Sequence, residues 1–475
     1  MVLGHLASDQ DDKITFRTDG AALSRSCQRK HFVGQIMKIQ FSSVFRTTLA
    51  AVVVGLILPS AASAAPFSFT KIADTNSLIP NGTGTFEGLR EGAVHDGQVA
   101  FFGFGSSGQL GVYKSSGGTL SRVADANTGI PGGSGNFSGF SVHVDIYGGT
   151  VAFQGNQGFG QAGIYTGNGG SLTKVVDRNT AIPDGSGDFS GFSTPVIENG
   201  KVAFRAFGSS SQEGIYTNAG GMLAKAADKN TSIPDGTGNF TSFINKPSID
   251  GSTVVFRGKG SSSQEGIYSY SSGSLATIVD TNDAIPGGTG NFEITFLPVI
   301  DGGNVAFRGN GSGGQTGFYT SIGGTIALIA DKNTAIPDGT GDFTGFDRYS
   351  YDSGNLAFGG QRSASGEDTQ SGIYFWADGV LSKVIDITDL LDGKTLATGS
   401  SNLELQDGTS LDGSSILFLA RFTDGSRGLY LAELGVEEAV PEPGTLAILG
   451  LGLAGLGFMR RRRGPGLRGW RRTRR

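Results

Sequence analysis

Oxygen-bearing side chains at close spacing are the first residues in this chain that could do chemistry. In the segment DRNTAIPDGSGDF, Asp177, Asn179, Asp184 and Asp188 fall within a dozen positions, and DKNTAIPDGTGDF repeats the set as Asp331, Asn333, Asp338 and Asp342. Hard oxygens at such spacing suit Ca²⁺, so both segments are candidate calcium sites. The same residues also have a plainer use. Asp and Asn hydrogen-bond their own turn, Pro fixes φ, and Gly supplies positive φ. In other copies of the segment the carboxylate after Pro becomes Asn81, Gly132 or Gly287, whereas the leading Asp persists. A ligand set would not be discarded so freely, and turn chemistry is the better account.

A single reactive centre needs residues that break the repetition. Beyond residue 65 the chain has two histidines, His95 and His143, in different columns of the repeat. Each reads as a strand or turn residue before it reads as a base. Glu367 and Asp368 sit in an extended loop, GGQRSASGEDTQSGIY, followed by Trp376, and paired carboxylates with an aromatic are what a glycosidase uses. Adjacent carboxylates on a polar loop are more commonly solvated charges. The only cysteine is Cys27, so the body has no thiol for a nucleophile, a disulfide or a zinc site. Between residues 66 and 443 there are 21 Lys and Arg against 38 Asp and Glu, a net charge near −17, which disfavours nucleic acid as a partner.

The elements that must position these residues come from a repeat. Versions of DKNTAIPDGTGDF begin at Asp74, Asp125, Asp177, Asp228, Asp280 and Asp331, with a degenerate copy at Asp386, a period of 51 or 52 residues that stretches to 55 in the last unit. Each unit carries a Val-Ala-Phe type strand, beginning at Val99, Val151, Val202, Val254, Val305, Leu356 and Ile416, and a Gly-x-Tyr strand ending at Tyr113, Tyr165, Tyr216, Tyr268, Tyr319, Tyr374 and Tyr430. In six of them Gln-x precedes the Gly. Pairs such as Asp250-Gly251, Asp301-Gly302 and Gly220-Gly221 mark hairpin turns. With one strand after the Gly-rich loop and one before the next Asp, a unit has four strands, which is a propeller blade. The 32 Phe and 11 Tyr supply the apolar surface that a Gly-rich coil of 80 Gly would lack.

The ends of the repeat are out of phase. FSFTKIAD, residues 67–74, is a fourth strand without a blade, and the last unit stops at GLYLAELG without a fourth strand. The expected fold is therefore all-β, a seven-bladed propeller over residues 66–435 whose N-terminal strand closes the ring. An open solenoid is the rival and would have no use for the displaced strand.

Both termini carry targeting features. Residues 37–64 have Lys38 and Arg46, an apolar stretch from Leu49 to Leu58 and the small-residue pattern Ala62-Ser63-Ala64, a signal peptide cut at Ala64 or Ala65. Residues 1–36 fit no targeting class and read as a start placed too early. At the other end a linker, 436–443, leads to the segment 444–475. There Thr445 to Met459 is an uncharged, mostly apolar run that as a helix spans about 22 Å against a hydrocarbon core of about 30 Å. The arginines that follow hold the C-terminus on the cytoplasmic side.

Pro-Glu-Pro, a Gly-rich apolar helix and an arginine cluster, in that order, resemble the PEP-CTERM sorting domain of exported proteins in exosortase-bearing Gram-negative bacteria. On this resemblance Val440, Pro441, Glu442 and Pro443 are the sorting motif, Thr445 to Met459 a single membrane helix, and Arg460, Arg461, Arg462 and Arg463 the cytoplasmic stop. It implies an exosortase-type processing enzyme as partner, a transient inner-membrane anchor, and delivery to the cell envelope or extracellular matrix. The final GPGLRGWRRTRR runs past the point where such tails end. The body resembles tandem-repeat exported proteins of propeller type, which names no activity. The expected function is a noncatalytic surface or matrix protein with extracellular polysaccharide as partner and no cofactor beyond calcium. The alternative is a secreted propeller enzyme acting on polysaccharide, a glycoside hydrolase or lyase.

Overall fold

Three aromatic side chains per repeat gather the strands of each sheet. In the computed structural model, which describes residues 67–435 apart from 159, 365, 366 and 400, the Phe that ends the Gly-rich loop meets the strand Phe and the strand Tyr. Phe137 packs edge-on against Tyr165 with ring centroids 5.0 Å apart, and Phe153 lies 6.0 Å from both. The trio recurs as Phe240, Phe256 and Tyr268, and as Phe343, Phe358 and Tyr374. Each of these rings is buried, a contribution of about 1.5–3 kcal/mol apiece. The Gly two positions before each Tyr is required by close approach. A Cβ on Gly163 would lie 2.6 Å from the Val176 carbonyl oxygen and 2.9 Å from the Tyr165 hydroxyl.

Seven antiparallel sheets of four or five strands result. Blade 1 runs through Phe86–His95, Gln98–Gly105, Leu110–Ser116 and Thr119–Asp125. Blades 2 to 6 follow in order, with second strands Thr150–Gln157, Lys201–Gly208, Thr253–Lys259, Asn304–Gly311 and Asn355–Ala364. In blade 7, Ser415–Arg421 and Arg427–Leu434 are completed by Phe67–Asp74, which pairs antiparallel with Arg427–Leu434 from Phe67 opposite Leu434 to Asp74 opposite Gly428. The displaced first strand thus closes the ring. Its Ala73 shares one buried cluster with Leu89, Phe101, Leu417 and Leu429, so blades 7 and 1 share a core.

The first strand of every blade lies innermost. These strands touch their neighbours in cyclic order, and Leu411–Asp412 of blade 7 meets Phe86–His95 of blade 1. The expected signal peptide, sorting motif, membrane helix and arginine stop lie outside the described residues. Among the described residues no helix is long and apolar enough to cross a membrane.

Candidate functional site

The repeated Asp is spent on its own turn. Asp177 Oδ1 accepts from the Asn179 amide at 3.1 Å and the Thr180 hydroxyl at 2.9 Å, while Oδ2 takes the Lys174 ammonium at 2.8 Å. Asp331 repeats this with Asn333 and Thr334. Asp184 and Asp338 occupy positive φ, 51° and 54°, inside the Gly-rich loop, and Asp188 and Asp342 bridge back to Ala181 and Ala335. Among the described residues no group of three or more His, Cys, Asp or Glu side chains gathers closely enough to hold an ion. The Gln before the Gly-x-Tyr strand clasps the same loop. Gln109 Nε2 donates to the Thr83 carbonyl at 2.9 Å and its Oε1 accepts from the Thr83 amide at 2.8 Å, and Gln212 does the same with Ser186.

The residues of the glycosidase reading are spread along one strand. Glu367 and Asp368 open the third strand of blade 6, opposite Ala364 and Ser363, whereas Trp376 stands eight or more residues further along that strand, opposite Leu356. At about 3.3 Å per residue the backbone of Trp376 lies about 25 Å along the strand from that of Asp368.

The residues that do converge come from the middle of the innermost strands, where each strand breaks. In blades 2, 3 and 5 the strand is split in two, and in blades 1, 4 and 6 its register slips between Leu89 and Gly92, Ile244 and Ser248, and Phe346 and Tyr349. A break frees the local side chains from alternation and aims them at the axis. His143, Thr194, Lys246, Leu297, Arg348 and Asp407, one from each of blades 2 to 7, line a cavity of about 350 Å³ there. A smaller cavity of about 220 Å³ adjoins it, sharing Leu297, Arg348 and Asp407 and adding Phe296, Arg308 and Tyr349. Half-buried Phe296 is approached by two guanidinium groups, with Arg308 4.1 Å and Arg257 5.4 Å from its ring centre.

Contacts across the axis hold this site. Arg348 donates to Glu91 of blade 1 at 2.6 Å and approaches Glu404 of blade 7 at 3.6 Å, and Arg421 binds Glu404 at 2.8 Å. Gln406 Nε2 reaches the Val144 carbonyl of blade 2 at 2.6 Å. Tyr349 donates its hydroxyl to the Leu297 carbonyl and its backbone amide to Asp407 at 3.2 Å, joining blades 5, 6 and 7. Burial would push the Glu91 carboxyl up, but its bond with Glu404 and the Arg348 charge hold it down at about 2. Burial, then the hydrogen bond and charge of Glu91, raise Glu404 to about 7. Burial and then the nearby Lys246 charge depress His143 to about 4, so it is neutral at ordinary pH.

Lys246 stands apart. The residue as a whole is half-buried, but its Nζ is shut off from water and has no hydrogen-bond partner. Burial lowers its pKa, opposed by the charges of Asp145 and Asp407. Those carboxylates already serve backbone amides, Asp145 those of Ile146 and Ile197, Asp407 that of Tyr349.

Toward the other mouth, the ends of the same strands form a second opening of about 300 Å³. Here each strand's last side chain accepts from the turn of the next blade. Asp250 takes the Gly303 amide at 2.7 Å, Asp301 that of Ser353 at 2.8 Å, Asp352 that of Gly413 at 2.6 Å, and Asp412 that of Asp96 at 2.7 Å. Glu198 does so with Gly251, and His95 with Gly148 at 3.3 Å through Nδ1, its ring packed on Tyr147. Between blades 2 and 3 the buried Asp145 substitutes, accepting from Ile197 at 2.8 Å. The two histidines therefore sit at different levels of the axis, His95 in a latch at the strand ends and His143 in the mid-strand cavity.

Sequence reasoning singled out none of the cavity residues other than His143. His143, Thr194, Lys246, Leu297 and Arg348 share one column with Glu91, seventeen or eighteen positions after the repeat Asp, through blades 1 to 6. Variation inside an otherwise regular repeat was the available signal.

The chain belongs to DUF7453, a family of unknown function whose model matches residues 43–447. Residues 439–463 match the PEP-CTERM protein-sorting motif, so the protein is an exported one. No curated protein matches the sequence. Among solved structures, the β-propeller domain of the trilobed protease from Pyrococcus furiosus is similar at 11% identity and TM-score 0.45, over 73% of this chain and 93% of that one. The polysaccharide lyase Uly1 is similar at 11% identity and TM-score 0.40, over 78% and 99%. A puromycin-hydrolysing peptidase of Mycobacterium tuberculosis is similar at 11% and 0.42, over 70% and 49%.

Proposed function

We propose that this DUF7453 propeller is a noncatalytic binding protein of the cell envelope or extracellular matrix, delivered there by exosortase after a transient stay in the inner membrane, and that its axial cavity binds extracellular polysaccharide. One observation carries the reading. The repeated polar residues are consumed by turns and latches, whereas the column that varies from blade to blade is gathered around a cavity. A repeat scaffold whose varied column converges on one cavity is built to present one asymmetric site. The site contains no nucleophile held by a base, which a covalent hydrolase would need.

A second reading, cleavage of the polysaccharide, is favoured by the neutral His143 beside Lys246 in the same cavity, since a base must be unprotonated to act. One panel separates the two. Mature protein from the envelope fraction is incubated with soluble polysaccharides and scored for retention and for new reducing ends or unsaturated products. Retention without product is expected. Turnover that disappears in His143→Gln would establish the enzyme instead, and a panel with neither retention nor product would remove both.

A further inference from the structure

We infer that the axial cavity takes an anionic group carried on a sugar residue, a carboxylate or sulfate ester, and that Lys246 is the residue that receives it. This rests on the proposed saccharide-binding role and deepens it. Of the buried side-chain atoms without a hydrogen-bond partner among the described residues, four belong to residues that line the two adjoining cavities: Lys246 Nζ, Arg308 Nε, Ser193 Oγ and Gln406 Oε1. Two of these are cationic donors, one is a hydroxyl that can donate, and only one is an acceptor. Buried polar groups are normally satisfied, so a cluster of orphans on the side chains around a cavity marks atoms that a small side-chain movement would offer to a partner. A partner that satisfies them must be rich in acceptor oxygens.

Charge sharpens this. The other cations here are engaged: Arg348 by Glu91 and Glu404, and Arg205 by Glu213 at 2.8 Å. Lys246 has no such anion, and the two carboxylates that bias it are held by backbone amides. A shielded ammonium without a counter-ion is costly in the empty protein, and an entering carboxylate or sulfate would relieve it through a charge-assisted hydrogen bond. The cavity volume falls at the small end of ligand pockets, which suits one or two sugar units rather than a long chain segment. Arg308 and half-buried Phe296 in the adjoining cavity give the neighbouring sugar a donor and a ring edge.

The test is calorimetric titration of the envelope-purified protein with trigalacturonate, with a sulfated galactose trimer and with neutral galactotriose, repeated on Lys246→Met and Lys246→Arg. The expected result is that at least one acidic trimer binds and the neutral trimer does not. Lys246→Met should weaken the acidic trimer about ten- to hundred-fold while leaving the melting temperature unchanged or higher, and Lys246→Arg should retain part of the affinity. Which acidic trimer binds identifies the anionic group. Equal binding of the neutral and acidic trimers, indifferent to Lys246→Met, would overturn this inference and leave the saccharide reading intact. Failure of all three trimers, with longer polysaccharides also unbound, would overturn both. A large fall in melting temperature for Lys246→Met would also count against it, because it would show that the ammonium is part of the fold.

Discussion

The two ends of the axis are made from the same seven strands and are used in opposite ways. At one mouth a single device recurs, a terminal side chain accepting from the turn of the next blade, and nearly every junction repeats it. Half a strand away the equivalent column holds a carboxylate, an imidazole, a hydroxyl, an ammonium, a Leu and a guanidinium, and its Lys246 carries an orphaned Nζ. Where the side chain is spent on holding its neighbour, every blade needs an acceptor, and Asp250, Asp301, Asp352 and Asp412 are the same one. Where the strand breaks and the backbone no longer dictates direction, each blade is free to differ. Repetition in this molecule marks the fold, and departure from repetition marks the site.

The most damaging way to test that contrast is to open the ring, because both mouths depend on it. Deleting residues 66–75 removes the strand paired with Arg427–Leu434, withdraws Ala73 from the core shared by blades 7 and 1, and leaves Arg427–Leu434 as an unprotected edge. We expect a loss of more than about 4 kcal/mol, outside the range of ordinary single substitutions, seen as a lower cooperative melt of the whole body together with self-association in sedimentation. A truncated protein that stays monomeric with an unchanged melt would mean that the ring does not depend on its closure.

Much of this architecture was legible in the chain. Blade number, four strands per blade and the closing role of residues 67–74 follow from the phase of a repeat, and repeat phase is a local property. Asp250 and Asp301 illustrate the limit. As Asp-Gly pairs they read as hairpin turns, and they are hairpin turns, but their carboxylates also hold Gly303 and Ser353 of the next blade, some fifty residues away, which no local pattern records. The cavity was hidden for a related reason. Lys246, Arg348 and Asp407 each look like an isolated surface charge, and only closure of the ring brings them to one axis.

A smaller effect separates the cavity end by pH. Glu404 and Glu91 share a hydrogen bond, with Glu404 raised to about 7 and Glu91 lowered to about 2. An acid whose folded pKa exceeds its unfolded value binds more protons folded than unfolded. Its contribution to stability is therefore present below about pH 4.5 and is lost as pH rises from there through about 7. Glu91 has the opposite sign and loses its contribution as pH falls below about 4.5. Stability should peak in the weakly acidic range and fall by about 1 kcal/mol by pH 8, a figure reduced for partial solvent screening. Denaturant midpoints measured from pH 5 to 8 check this. Glu404→Gln should flatten that slope, and an unchanged slope in the variant would place the titration elsewhere.

The smallest effect tests the latch end. The Asp301 carboxyl is half-buried, and burial, followed by the nearby Asp352 and Asp250 charges, raises its pKa, so its use is as an acceptor for the Ser353 amide and its charge is a burden. Asp301→Ala leaves that amide without its partner and should cost about 1 kcal/mol. Asp301→Asn keeps an acceptor oxygen and relieves repulsion around the mouth, so it should lie within about 0.5 kcal/mol of the parent protein on either side. Neither change should alter saccharide binding by more than about two-fold, since sites that share no partners act independently. Lys246→Met should do the reverse, weakening binding and sparing stability. If Asp301→Ala instead weakens binding as strongly as Lys246→Met does, the two mouths are not separate devices and the contrast drawn between them fails.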